Sequence, residues 1–352
     1  MVKLSSRGWF AFTLIFSLSV LIFIFATTFN KQTIVSILSF NLLFLGLAII
    51  FRFLALVLWG VRIQLMAGSL GYRVSLLNCV NMVLAGLLAG TITPGQMGND
   101  PVRVHELYRA GVKIGDATAV VVMERFLDGI TLTVMGLLIM ALMTQYFLHT
   151  FSPSLVILVI IAWIFMIGIL FVPVLAIKYP EKTKSFIVRL INWLAPRFLR
   201  SSGPDQGISG RVDREIDNFF ATLKTFTGTV RRGLLAGGVL TALFWISEFL
   251  VASVIMMGLG LQPYILESFF FQILIAIIMM IPLTPGSSGV TELSATSLYA
   301  LIIPSGMLGI FVILWRFVTF YLNIILGALA GLAIFRRELG KKEKENEPGK
   351  TG

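Results

Sequence analysis

Helix-length apolar runs recur along this chain, and they decide what it can fold into. About 20 consecutive apolar residues carry an α-helix across the hydrocarbon core of a bilayer. Runs of that kind fall near 9–29, 38–59, 117–146, 154–177, 234–258 and 306–335. The alternating pattern of barrel strands is absent, so the spans are helices. Composition agrees: 57% of the residues are hydrophobic, 13% are charged and the mean hydropathy is +0.93. A soluble chain is roughly half apolar and a quarter charged. The expected fold class is an all-α polytopic membrane protein. The run Phe10–Phe29 follows a basic start, as a signal peptide does. It is too long for a signal-peptide core and lacks a clear small-residue cleavage site, so it reads as a retained helix.

The same residues exclude several functions. One cysteine, Cys79, leaves no intramolecular disulfide and no cysteine-rich metal site. His105 and His149, the two histidines, do not make a histidine metal site. No metal and no cofactor is expected. Hydrolase, kinase, P-loop and metalloprotease motifs are absent. No soluble catalytic domain follows either, so no residue is assigned as catalytic and an enzyme is not expected. The net charge of +11 fits cytoplasmic loops beside anionic lipid better than nucleic acid, for which no module is present.

The basic residues fall on one side. Lys3 and Arg7 precede the first span, Arg62 and Arg73 follow the second, and Arg103, Arg109 and Lys113 follow the first Thr-Pro-Gly. The segment 178–232 is rich in both Lys and Arg, and Arg336, Arg337, Lys341 and Lys342 close the chain. The connections near 146–153, 259–267 and 303–306 have none. Six crossings with both termini cytoplasmic satisfy this bias, with Lys31 as the exception. The expectation is a multi-pass protein of the cell membrane. It has a single transmembrane domain over 1–335, a cytoplasmic connecting segment at 178–232 and a charged tail at 336–352. Within the connecting segment, Ile208, Val212, Ile216, Phe219, Phe220, Leu223 and Phe226 follow helical spacing. Two readings stay open: an amphipathic helix on the membrane surface or a helix packed on the bundle.

Two shorter apolar runs, near 76–92 and 268–283, stop at TITPGQMGNDPVRVHEL and MMIPLTPGSSGVTELSA. A shift of 191 residues aligns the two motifs. Thr93, Pro94, Gly95 and Gly98 meet Thr284, Pro285, Gly286 and Gly289. Further on, Leu107, Tyr108, Gly115, Val121, Arg125, Phe126 and Gly136 meet their identical counterparts, giving 11 identities over positions 93–136. Composition produces Leu and Val matches; it does not readily produce Thr-Pro-Gly and a span arginine in one register. The reading is an internal duplication, with repeat one at about 76–146 and repeat two at about 267–335. Each short run reads as a half-helix that enters the membrane and turns back. The topology then makes the two halves inverted, with broken helices meeting near the midplane, a transporter architecture. Asp100 is placed as the N-cap of the helix after the first turn, with Pro101 at its first position, and Ser288 as the N-cap after the second. Such N-termini favour an anion. The plainer alternative is that Thr-Pro-Gly only closes two tight turns.

The segment VVMERFLDGITL puts Glu124, Arg125 and Asp128 inside an apolar span, where charges usually face a cavity or a partner. Glu124 and Asp128 share one helix face. Arg125 does not, so its partner is a carboxylate on another helix or a substrate phosphate. In repeat two Arg316 keeps the position of Arg125, while Trp315 and Thr319 replace Glu124 and Asp128. The arginine is retained and these acids are not, which favours guanidinium grip on an anionic head group. A buried Arg–Glu bridge is the structural alternative. Arg103 is a candidate to help hold an anion, and Glu292 to complement an arginine. Glu248 reads either as a proton-coupling site or as a hydrogen-bonded structural residue, and the latter is the plainer reading. Arg52 is expected to snorkel or pair.

TPGQMGNDPVRVHEL, MERFLDG and PLTPGSSGVTE, in that order, resemble the lysylphosphatidylglycerol synthase transmembrane-region family, also called flippase-like domain proteins. The resemblance covers nearly the whole chain. One departure is Gln96 after Pro-Gly, where the family often has Gly or Ser; Asp100 and Arg103 are kept. In multiple peptide resistance factors this membrane region is linked to flipping an aminoacylated phosphatidylglycerol, and a separate cytoplasmic domain makes that lipid. This chain is expected to lack the synthase part. Archaeal relatives are associated with lipid-linked glycan assembly. The resemblance therefore implies a flippase for an anionic phospholipid or a lipid-linked sugar, with membrane lipid as partner. The head group would pass between the two turns and touch Arg103, Arg125 and Arg316. The substrate-binding set is Pro94, Gly95, Gly98, Asp100, Arg103, Glu124, Arg125, Asp128, Pro285, Gly286, Gly289, Glu292 and Arg316. The alternative is a secondary transporter of a small anion, coupled through Glu124, Asp128 or Glu248. An intramembrane lipid enzyme is a third and weaker reading. A homo-oligomer and a separate lipid-modifying enzyme remain open as partners.

Overall fold

The computed structural model describes residues 6–145, 149, 153–186, 189, 206–281, 284 and 286–345. Pro285, much of the 146–153 connection, residues 201–205 and the end of the charged tail lie outside the described residues. Within them the chain is helical, with no β-strand.

The first apolar run forms α1 (Ser6–Thr28), and α2 (Lys31–Ser39) leaves it at a bend of 114°. Local chemistry writes the bend. Asn30 Oδ1 accepts the Thr33 N–H at 3.2 Å, and Thr33 Oγ1 accepts the Asn30 N–H at 3.0 Å. This reciprocal cap starts a new helix. Asn41 then caps α3 (Leu42–Ser69), its Oδ1 accepting the Leu43 N–H at 3.0 Å. The helix runs a further ten residues past the expected end at 59. That extension carries Arg62 into the interior, fully buried, so Arg62 is not one of the exposed cytoplasmic basic residues.

Among the described residues, four stretches are long and apolar enough to cross a membrane: α3, α6 (Ile114–Leu142), α9 (Arg231–Gly258) and the run Ser305–Arg337; the bent first pair makes a fifth. The fourth run is not one regular helix. It consists of α12 (Ser305–Arg316), a π-helical turn (Phe317–Tyr321) and α13 (Leu322–Glu345). α7 (Pro153–Lys178) is a further apolar helix of 26 residues.

The two short runs fold as hairpins. α4 (Leu76–Thr91) has 16 residues. At about 1.5 Å per residue it reaches about 24 Å, short of a ~30 Å hydrocarbon core. α5 (Asn99–Arg109) returns along it, so close that a Cβ on Gly86 would sit 2.4 Å from Asn99 Oδ1. α10 (Ile265–Met279) and α11 (Val290–Tyr299) form the second hairpin.

α8 (Gln206–Thr227) packs on the start of α6, as the bundle-packed reading requires. Ile216, Leu223 and Phe226 are buried, and Glu215 Oε2 accepts the Gly115 N–H at 2.7 Å. A Cβ on Gly115 would meet the Glu215 carbonyl oxygen at 2.4 Å, so glycine is what lets the helices touch. Tyr72 and Thr222 both donate to the Asp116 carboxylate. Burial, with that hydrogen bond, pushes the Tyr72 phenol above its ordinary range.

Two apolar clusters hold the fold. One gathers Trp59, Met66, Met123, Phe226 and Phe244 around α3, α6 and α9. The other gathers Trp163, Phe249, Phe270, Phe271 and Phe311 around α10 and α12.

Candidate functional site

The two Thr-Pro-Gly turns meet at the centre. The Gly95 N–H donates to the Thr284 carbonyl at 3.3 Å, and the Gly286 N–H donates to the Thr93 carbonyl at 3.0 Å. These bonds map onto each other under the 191-residue shift. So do the backbone angles: φ is +56° at Gly95 and +57° at Gln96, against +57° at Gly286 and +56° at Ser287. Gln96 and Ser287 are non-glycine residues in the left-handed region, a conformation that tends to cluster at functional sites. Thr93 also closes its own turn. Its hydroxyl donates back to Ala89 or Gly90, both at 3.2 Å, and accepts the Gly98 N–H at 2.8 Å.

Neither expected N-cap forms. Gly98 stands at the N-cap of α5, and Asp100 lies in its first turn with its carboxylate turned to two arginines. Gly289 stands at the N-cap of α11 with φ +81°, and Glu292 Oε2 accepts its N–H at 2.7 Å. Ser288 is buried beside it. In both turns arginine competes with the backbone for the acid, or the acid reaches back from the third position.

The span charges form a network. Glu124 accepts from Arg62 Nε at 2.9 Å, Arg103 Nη1 at 2.6 Å and Trp59 Nε1 at 3.0 Å. Asp128 accepts from Arg62 Nη1 at 2.6 Å and Trp245 Nε1 at 3.1 Å. Asp100 accepts from Arg103 Nη2 and from Arg125 Nη2, each at 2.6 Å. Arg125 thus finds its partner on another helix, as its position off the acidic stripe requires. Arg62 and Glu124 are fully buried; only Arg125 and Asp100, 40% and 36% exposed, remain accessible.

Repeat two carries a smaller version. Arg316 Nε donates to Glu292 Oε1 at 2.9 Å, Ser17 Oγ donates to the same oxygen at 2.7 Å, and the guanidinium lies 4.1 Å from the Phe320 ring centre. The π-helical turn begins at the next residue. Such turns inside helices are frequent at functional sites. The acid partner is therefore present in both repeats. Glu292 complements an arginine, as expected from its place behind the second turn, although it aligns one residue beyond Asp100.

Between the hairpins lies a cavity of about 340 Å³. Gly95, Asp100, Arg125, Asp128 and Arg316 line it, with Trp245 and Gln272. Arg52, Glu248 and Asn323 line it too: Arg52 pairs with Glu248 and donates to Asn323 Oδ1 at 3.0 Å. Arg52 and Glu248 were each noticeable in sequence as span charges, but nothing in sequence joined them. Arg62, Trp59 and Thr241 gave no such signal. Arg103, Glu124 and Glu292 sit behind the wall.

The family model for the lysylphosphatidylglycerol synthase TM region matches residues 10–327, which include both hairpins and every charge just described. The chain belongs to this family. A UPF0104 membrane protein of Archaeoglobus fulgidus is 30% identical over 315 residues, 89% of this chain and 93% of the relative. One of Pyrococcus horikoshii is 24% identical over 305 residues, 85% and 89% of the two chains. One of Methanocaldococcus jannaschii is 24% identical over 300 residues, 84% and 86%. No solved structure matches the chain.

Proposed function

We propose that this membrane protein translocates a lipid with a phosphate-bearing head group, either an anionic phospholipid of the aminoacyl-phosphatidylglycerol kind or a lipid-linked sugar. The observation that carries the reading is the charged cavity between the hairpins, where Arg125 is the accessible guanidinium among five interior arginines. Arg52, Arg62, Arg103, Arg125 and Arg316 face Asp100, Glu124, Asp128, Glu248 and Glu292. Positive charge is balanced, so a phosphate binds by exchange: it takes the fork of Arg125 while Asp100 keeps Arg103. Asp128 steadies Arg125 from 3.8 Å. Arg103, Glu124, Arg316 and Glu292 hold the hairpins, and Pro94, Gly95, Gly98, Gly286 and Gly289 shape the turns. The tails stay in the bilayer.

In this reading the hairpins enter from opposite membrane faces. The reciprocal Gly95–Thr284 and Gly286–Thr93 bonds support it, since such paired contacts are what a two-fold axis between the turns produces. The bias of basic residues toward the loops on one side supports both termini being cytoplasmic in this reading. No cofactor or catalytic group enters the cycle.

A second reading, an ion-coupled transporter of a small anion, is favoured by one observation: the Arg52–Glu248 pair on the cavity wall. The test is the purified protein in vesicles containing labelled phosphatidylglycerol or a labelled lipid-linked sugar. Protein-dependent exchange between leaflets is expected. Gradient-driven phosphate uptake without lipid exchange selects the second reading, and neither activity removes both.

A further inference from the structure

We infer that the apolar groove beside the charged cavity seats one acyl chain of the transported lipid, with the Arg125–Asp100 pair as the partition between chain and head group. The inference rests on the lipid reading above. The groove, about 620 Å³, is walled by Val104 and Tyr108 of α5, Thr118, Val122 and Phe126 of α6, and Leu170 of α7. Three things distinguish it from ordinary lipid-facing surface.

First, it adjoins the cavity across one pair of side chains: Asp100 and Arg125 line both. An acyl chain lying here has its polar end at a guanidinium that is still 40% exposed. Second, its length fits. Ile114 to Phe126 spans about 18 Å at about 1.5 Å per residue, slightly more than half of a ~30 Å hydrocarbon core. That is one leaflet's depth of chain. Third, its walls are mostly apolar, with His105, Tyr108 and Thr118 as the polar side chains along them and the Asp100–Arg125 ion pair at its inner end. The arrangement fits a lipid in transit. The head group has reached Arg125 at mid-depth, and one chain trails in the leaflet beside the α6 N-terminus. When phosphate draws Arg125 away from Asp100, the partition opens and head group and chain become contiguous.

The experiment fills the groove and varies the chain. Thr118→Trp and Val122→Trp lie one helical turn apart on the groove wall; Leu138→Trp, on an exposed face of α6 away from it, is the control. Leaflet exchange of dioleoyl and dihexanoyl phosphatidylglycerol is measured for each folded variant. If tryptophan prevents folding, Thr118→Phe replaces it. Wild type and control move both lipids. The groove variants should slow the dioleoyl lipid at least about tenfold, the factor expected from losing roughly two buried methylenes, and should leave the dihexanoyl lipid within about twofold. Equal loss for both lipids, or no loss for either, overturns the acyl-chain assignment and leaves lipid transport standing. If wild type moves neither lipid, the phospholipid form of the function reading falls instead, and the groove assignment with it.

Discussion

The protein builds one ion pair twice and gives the copies opposite surroundings. Arg125 of α6 pairs with Asp100 in the first turn of α5; Arg316 of α12 pairs with Glu292 in the first turn of α11. Elements and charges correspond, with the acid one residue out of register in the second copy. Access does not. Arg125 and Asp100 are 40% and 36% exposed, whereas Arg316 and Glu292 are 2% and 0%. The cause is α1. Its Ser17 bonds Glu292 and Tyr321, and Phe16 lies against Gly289, so the second pair is roofed over. The first pair opens to a cavity on one side and a groove on the other. Two pairs of like chemistry thus stand in surroundings that suit different duties, a buried strut in one half and an open, exchangeable pair in the other.

That contrast fails most visibly if the buried network behind the open pair is dispensable. Among the described residues, Arg62 is the fully buried cation that pairs with Asp128, and it shares Glu124 with Arg103. Removing one partner of a buried pair leaves charge uncompensated and costs about 3–5 kcal/mol. Arg62→Met should therefore lower the thermal unfolding midpoint in detergent sharply or prevent recovery of folded protein. A wild-type midpoint would mean that the network carries no load. The roofed pair comes next. Arg316→Met alone should cost nearly as much, again about 3–5 kcal/mol, softened because Glu292 keeps Ser17 and the Gly289 N–H. Joining it to Glu292→Leu should recover much of the loss in a double-mutant cycle. Additive losses would show that the two residues are not acting on each other.

How much of this was legible in the sequence follows from range. The apolar runs set the helices, and the shift of 191 residues found Arg125 and Arg316 because both signals are periodic or local. The bend after Thr28 was not seen, although Asn30 and Thr33 carry its cap, because capping residues are common in any loop. Arg62 was assigned to the cytoplasmic side because it follows an apolar run. What holds it inside is Glu124 and Asp128 on another helix, a contact that one-dimensional reading cannot supply. The Arg52–Glu248 pair was hidden for the same reason. The π-helical turn after Arg316 has no composition of its own.

A smaller effect is expected where the turns meet. Gly286 has φ +57°, and a Cβ there would lie 2.8 Å from the Thr91 carbonyl oxygen. Gly286→Ala should cost about 1–3 kcal/mol, the range for a strained left-handed residue, and should weaken the Gly286–Thr93 bond. Gln96→Gly, relieving the strain at the matching turn, should move stability the other way. If both changes act in the same direction, the two turns are not equivalent.

The smallest stability effect should come from Arg125→Ala, and it is the most informative of the set. The pair is part exposed, where ion pairs contribute about 0–1 kcal/mol, and Asp100 retains Arg103 when Arg125 is gone. The unfolding midpoint should barely move. Lipid exchange should fall by at least about tenfold, because the phosphate loses a two-pronged donor that no other accessible arginine replaces. Arg125→Lys keeps the charge without the planar fork, so it should restore only part of the rate. Measured beside Arg316→Met, these variants separate the two copies by outcome: one loses stability, the other loses transport. If Arg125→Ala instead lowers the midpoint as far as Arg316→Met does, both pairs are struts, and the open surroundings of the first one have no part in moving lipid.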